Sequence, residues 1–208
     1  MSVPDLPAPE VESRGSTVRL LATTQAIFFV SLALCVVVNH STKAQQDGIS
    51  FYGVWPRTVI VVVAGYAAAG LGLWRAGVWF RRAAAPPSVF LGVRVIAIGL
   101  PLLLVTPYNE GVVLNWSHMT IGVAMALVQA AGTIALVRRR SRADVRILSA
   151  VQLAGGLLAA ASLPTWHFAF LLQGETVYEV AYGLSLLVWV RELAQVQPRS
   201  TSVTRSNA

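Results

Sequence analysis

Long apolar runs recur along this chain, each closed by a polar turn or an arginine cluster, and this alternation limits the possible folds more than any other feature. About twenty apolar residues is the length at which an α-helix crosses the hydrocarbon core of a bilayer, at about 1.5 Å of rise per residue. In lipid every backbone N–H and C=O must find its partner within the protein, so such runs fold as helices. Composition points the same way. Apolar residues make up 55% of the 208, and charged residues only 12%. Soluble domains carry about 25% charged residues, so this chain lacks the polar surface of a globule in water. One cysteine excludes a disulfide scaffold, and the apolar middle excludes disorder except at the ends. The expected fold class is all-α: a polytopic membrane protein built as a bundle of six transmembrane helices.

The expected domain is 18–193, with spans at about 20–39, 58–76, 88–106, 118–137, 147–163 and 176–191. Residues 1–17 read as a disordered tail and not a signal peptide, because the first apolar run begins late and is too long. Residues 194–208 read as a second tail. Arg75, Arg81, Arg82 and Pro86-Pro87 close the second span, the arginines from Arg138 to Arg146 close the fourth, and Pro164 ends or kinks the fifth. The sixth span is short and contains Glu179. Small residues at helical spacing, Ala64, Ala68 and Gly72 in the second span and Gly155, Gly156, Ala159 and Ala160 in the fifth, are expected to pack within the bundle.

Net charge is +7, and its distribution matters more than its size. Of the 16 Lys and Arg residues, all but Lys43 and Arg57 fall in the tails, in the second and fourth loops or near the span ends beside them. That asymmetry places both termini in the cytoplasm of a multi-pass protein of the cell membrane. The basic clusters read as topology signals that also meet anionic lipid, and no nucleic-acid-binding motif is present. All six Trp residues lie near expected span ends, where interfacial aromatics belong.

In this orientation His40, His118, His167, Asp47, Glu110 and Glu175 fall at the outer face, and Glu179 lies about one turn inside the sixth span. The candidate ligand site is an outward pocket lined by His118, His167, Glu175 and Glu179 and covered by Asp47, Tyr52 and Arg57. Each residue also has a plainer reading. An interfacial His caps helices or meets head groups, and Glu179 can pair with Arg57 across the outer interface. A carboxylate inside a span is functional by default. Three His with carboxylates match the ligand types of zinc, yet no H-x-x-x-H or H-E-x-x-H spacing occurs, so no metal or other cofactor is assigned. Ser50, Ser117 and Ser162 are conceivable nucleophiles, without a nucleophile elbow. Arg94 is expected to snorkel to the cytoplasmic head groups. Gln25, Gln129 and Gln152 are expected to hydrogen-bond across helices.

The first outer loop reads Asp47-Gly48-Ile49-Ser50-Phe51-Tyr52-Gly53, with Pro56 and Arg57 opening the second span. An I-S-x-x-G element between the first two spans resembles that of uncharacterised prokaryotic six-pass membrane proteins, and the chain also looks like the DRAM-like six-pass proteins. It departs from that pattern in carrying Phe51-Tyr52 ahead of the glycine. The resemblance implies a lipid-associated or accessory role. It also implies that Ile49, Ser50 and Gly53 form a turn ordering the loop, with Gly53 free to take a positive φ.

The leading functional expectation is therefore noncatalytic: binding a lipid or small ligand, or supporting a membrane-protein partner, through the outward pocket. A membrane-embedded hydrolase or metal-dependent enzyme acting on a lipid at the same place is the alternative. A small transporter comes third, because the polar residues between the two faces are sparse.

Overall fold

A computed structural model describes residues 10–83, 85–139, 143–162 and 170–196. These are almost entirely helical, with no strand among them. In chain order the elements are α1 (Glu10–Val38), α2 (Thr42–Asp47), α3 (Ser50–Val54), α4 (Val59–Arg82), α5 (Pro87–Val105), α6 (Val112–Arg139), α7 (Ala143–Ala161) and α8 (Leu171–Val196).

Five helical stretches are long and apolar enough to cross a membrane: Gly15–Val38, Val59–Arg82, Pro87–Val105, Val112–Arg138 and Ala143–Ala161. The sixth expected span corresponds to α8, which at 26 residues is long enough but is not among them. Glu175 and Glu179 lower its hydropathy. The expected boundaries need further correction. Helix α1 starts at Glu10, inside the segment expected to be a disordered tail, and α8 continues to Val196, past the start of the other tail. Helix α6 starts six residues before the expected His118, at Val112.

Neighbours in sequence pack as neighbours in space: α1 on α4, α4 on α5, α5 on α6, and α7 on α8. Helix α8 returns to α1 and α2, and α6 meets both α7 and α8. Helix α8 also runs along the height of the bundle. Near its start Glu175 reaches Ile49, just ahead of α3. Near its end the Trp189 ring lies 4.7 Å from that of Phe80, in the last turns of α4. The outward faces stay apolar, with Ile60, Leu127 and Leu157 each more than half exposed. Such faces suit a lipid environment and not water.

Small residues set the helix separations, with Gly72 where the α4 pattern was expected and the rest of the stripe one position away. Ala64 is exposed, and the buried stripe is Gly65, Ala69, Gly72 and Ala76. A Cβ on Gly72 would collide with the Thr24 side chain of α1. Between α7 and α8 the approach is backbone to backbone, because a Cβ on Gly174 would meet the main chain of Ala159 and Gly155. Pro101 lies inside α5 without ending it. It supplies no N–H to the carbonyl of Ala97, and that oxygen faces Gly70 of α4.

Candidate functional site

The link between α1 and α4 folds as a cap over one end of the bundle. Ser41 starts α2 by accepting the Ala44 N–H at 3.2 Å. Gly48 ends it with φ +69°, a left-handed conformation that glycine adopts without strain. There the chain presses against α8: Ile49 N–H donates to Glu175 Oε2 at 2.7 Å, and no Cβ would fit at Gly48 beside that carboxylate. Gly53, expected to hold the positive φ, lies within α3 instead. Residues 49–53 are the N-cap and the first four residues of that short helix.

Ser50 opens α3 and meets α6. Its Oγ lies 2.7 Å from His118 Nε2, while His118 Nδ1 lies 2.7 Å from the Thr106 carbonyl at the end of α5. A carbonyl only accepts, so Nδ1 carries the proton, and in the neutral ring Nε2 accepts from the Ser50 hydroxyl. His118 is 9% exposed. Beside this pair lies a shallow cleft of about 10 Å³, room for one water, with apolar walls from Val54, Leu103, Leu104 and Pro107. Tyr66 of α4 also lines it. The Tyr108 ring stands 5.9 Å from His118, and its hydroxyl donates to Asp47 Oδ2 at 2.7 Å. Burial, and then that bond, raise the Tyr108 hydroxyl above its ordinary pKa.

A second polar group lies deeper, where α6, α7 and α8 meet. Gln129 Nε2 donates to both oxygens of Glu179, at 3.0 Å each. One turn further along α6, Thr133 donates to Gln152 Oε1 of α7 at 2.7 Å. Tyr178 donates to the Ala126 carbonyl. Gln129 and Gln152 are fully buried, yet Gln129 Oε1 and Gln152 Nε2 find no partner. Gln129 is eighteenth of the 27 residues of the α6 span, so Glu179 is tied to a point two-thirds of the way along that helix and not to its rim.

The described residues among the expected pocket set take different partners. His118 belongs to the cleft. Asp47 is held by Tyr108, Glu175 by Ile49, and Glu179 by Gln129. Tyr52 turns back and donates to the Asn39 carbonyl at 2.9 Å. The Arg57 guanidinium lies 5.7 Å from the Trp55 ring centre, not on Glu179. His167 lies outside the described residues. Arg94 rests 5.3 Å over Trp74. Among the described residues no three His, Cys, Asp or Glu side chains gather as a metal-ligand group.

Sequence reasoning named Ser50 but did not pair it with His118, 68 residues away. It did not find Thr106 or Tyr108, since a carbonyl has no residue signature and Tyr108 sits in an ordinary polar turn. Gln129 and Gln152 face the interior and bond across helices, as polar residues within apolar runs must. No protein-family model, curated protein or solved structure matches the chain.

Proposed function

We propose that this is a six-span protein of the cell membrane that binds a lipid at its outer face, noncatalytically, in the cleft beneath the α2–α3 cap. One observation carries the reading: a buried Ser–His pair set into an otherwise apolar cleft. Sites for small amphiphiles are mostly apolar with a few convergent polar groups. The cleft has room for about one water, so the lipid would lie across its mouth, its head group or ester region toward Ser50 and His118 and the start of an acyl chain on the leucines. Two observations support α8 as the sixth crossing: its contact with the cap at Glu175 and its ring contact with the far end of α4 at Trp189. The distribution of Lys and Arg supports an outward cap and cytoplasmic termini.

Native mass spectrometry on full-length protein, extracted gently from its own membrane, tests the reading. A retained lipid mass is expected. Ser50→Ala and His118→Ala each remove one polar contact, so lipid retention should fall about tenfold, as for the loss of about 1.4 kcal/mol. Lipid retention unchanged in both variants would sink the cleft as the site.

The same hydrogen bond favours a second reading, in which His118, oriented by Thr106, activates Ser50 as a nucleophile toward a lipid ester. A fluorophosphonate probe separates the two. Covalent labelling of Ser50, abolished in His118→Ala, supports the enzyme; a chain left unlabelled supports the binder.

A further inference from the structure

We infer that Glu179 and Gln129 form a proton-binding site inside the bundle, loaded from the cap side. The inference rests on α8 crossing the bilayer and is independent of the cleft.

The placement of Glu179 carries the first step. Its partly buried carboxylate meets the fully buried Gln129 about nine residues inside the end of the α6 span, and among the described residues no Lys, Arg or His pairs with it. An uncompensated carboxylate in a medium of low dielectric costs several kcal/mol. The titratable groups around it offer no positive charge. On α8 itself these are Glu175, Tyr178 and Tyr182, and on α4 Tyr66. Gln129 of α6 and Gln152 of α7 are neutral amides. Taking up one proton removes the charge without requiring any further group.

The orphaned atom carries the second step. With Glu179 ionised, Gln129 Nε2 donates to the carboxylate, and Gln129 Oε1 is left buried with no donor. With Glu179 protonated, turning the same amide over lets the new O–H donate to Oε1. The amide thus presents a donor to one proton state and an acceptor to the other, a property that Leu or a cation at 129 would lack. Glu175 lies one turn away toward the cap on the same face of α8, about 6 Å along the helix, and touches the loop end at Ile49. It is the natural first stop for a proton arriving from that side.

Dicyclohexylcarbodiimide tests this, because it partitions into lipid and adds across its C=N bond to a protonated carboxyl, leaving a stable mass on the side chain. The full chain is reconstituted in vesicles, labelled between about pH 5 and about pH 9, and mapped by peptide mass spectrometry. Glu179 should be labelled, with a rate falling about tenfold per pH unit once the proton begins to leave. Glu179→Gln should leave no label at 179. Gln129→Leu removes the donor that favours the ionised form, so labelling should persist to higher pH. Gln129→Asn, which withdraws the donor by one methylene, should shift the profile the same way and serves if the Leu variant does not fold. A purely structural pair would not move that profile.

Absence of label at Glu179 across the pH range, in folded protein whose exposed carboxyls react with a water-soluble carbodiimide, overturns the site. So does protection by sodium at constant pH, which would make the ligand a metal cation. Equal labelling of Glu179 by the water-soluble reagent overturns the crossing by α8 itself, and so separates failure of that premise from failure of the proton site.

Discussion

The seam of α1, α4 and α5 and the seam of α6, α7 and α8 solve the same packing problem in different ways. In the first, small side chains bring helices together: Leu73, Ala76, Val93 and Ile96 are each at most 3% exposed, and the buried Thr24 and Ser31 of α1 lie against Gly72 and Gly65, Thr24 bonding back to its own helix. In the second, Gln129, Thr133, Ser149 and Gln152 are buried, and Glu179 hangs from Gln129. Among the described residues, Gln129 Oε1 and Gln152 Nε2 of the second seam are buried without a partner, as is Arg94 Nε in the first. Lipid is as apolar as a leucine, so association in a membrane relies on close fit and hydrogen bonds. Close fit alone suffices for the first seam. A partly satisfied polar seam is the costlier solution, and its presence points to a use beyond cohesion.

The largest expected effect tests the fit in both seams. A Cβ on Gly174 meets the backbone of Ala159, which can give only by separating α7 from α8. A Cβ on Gly72 meets the Thr24 side chain, which can rotate if it gives up its bond to Leu20. Gly174→Ala should therefore cost about 2–3 kcal/mol and Gly72→Ala about 1 kcal/mol, within the usual range for overpacking. Thermal unfolding in mild detergent ranks them, and the reverse order would mean that α7 and α8 are not locked backbone to backbone. Next comes the polar pair. Gln129→Leu alone strips a donor from a carboxylate and should cost about 2 kcal/mol, and Glu179→Leu alone orphans an amide at about 1–2 kcal/mol. The double Leu variant should recover most of both losses. Strict additivity in that cycle would show that the pair does not interact, and would erase the contrast between the seams.

These contrasts were legible in the sequence only in part. The apolar runs and arginine stops reveal five helices at once, because length and hydropathy depend on nothing beyond the local chain. Helix α8 is harder for the same reason: Glu175 and Glu179 lower its hydropathy, and what offsets them, Ile49 N–H and Gln129, comes from distant segments. The shift from Ala64 and Ala68 to Gly65 and Ala69 reflects a helix rich in small residues on several faces, where composition cannot choose the buried one. Helices of six and five residues in the cap are too short for any periodicity. Their positions follow from a positive φ at Gly48 and a long-range serine–histidine bond. The same gap bears on the outer-pocket expectation: sequence placed polar residues at one end, but not which partner each would take.

The cap should respond more weakly than either seam. Ser50→Ala leaves His118 Nε2 without its donor in a half-open site, so stability should fall by about 1 kcal/mol, with faster proteolysis between α1 and α4. An unchanged cleavage rate would mean that the cap is held by Glu175 alone.

The smallest effect is confined to alkaline pH. The Tyr108 hydroxyl is half-buried and donates to Asp47, and both conditions favour its neutral form over the phenolate. Its pKa in the folded chain lies above the unfolded value of 10.0. The unfolded chain therefore loses this proton first as pH rises. The contribution is complete below about pH 10 and declines above it, toward the folded-state value. Tyr108→Phe should leave the unfolding temperature nearly unchanged near neutral pH and flatten its fall above about pH 10. If the alkaline slope survives in Tyr108→Phe, another group sets it. The buried tyrosines around Glu179 would then be the next to replace, which would move the pH sensitivity from the cap to the polar seam.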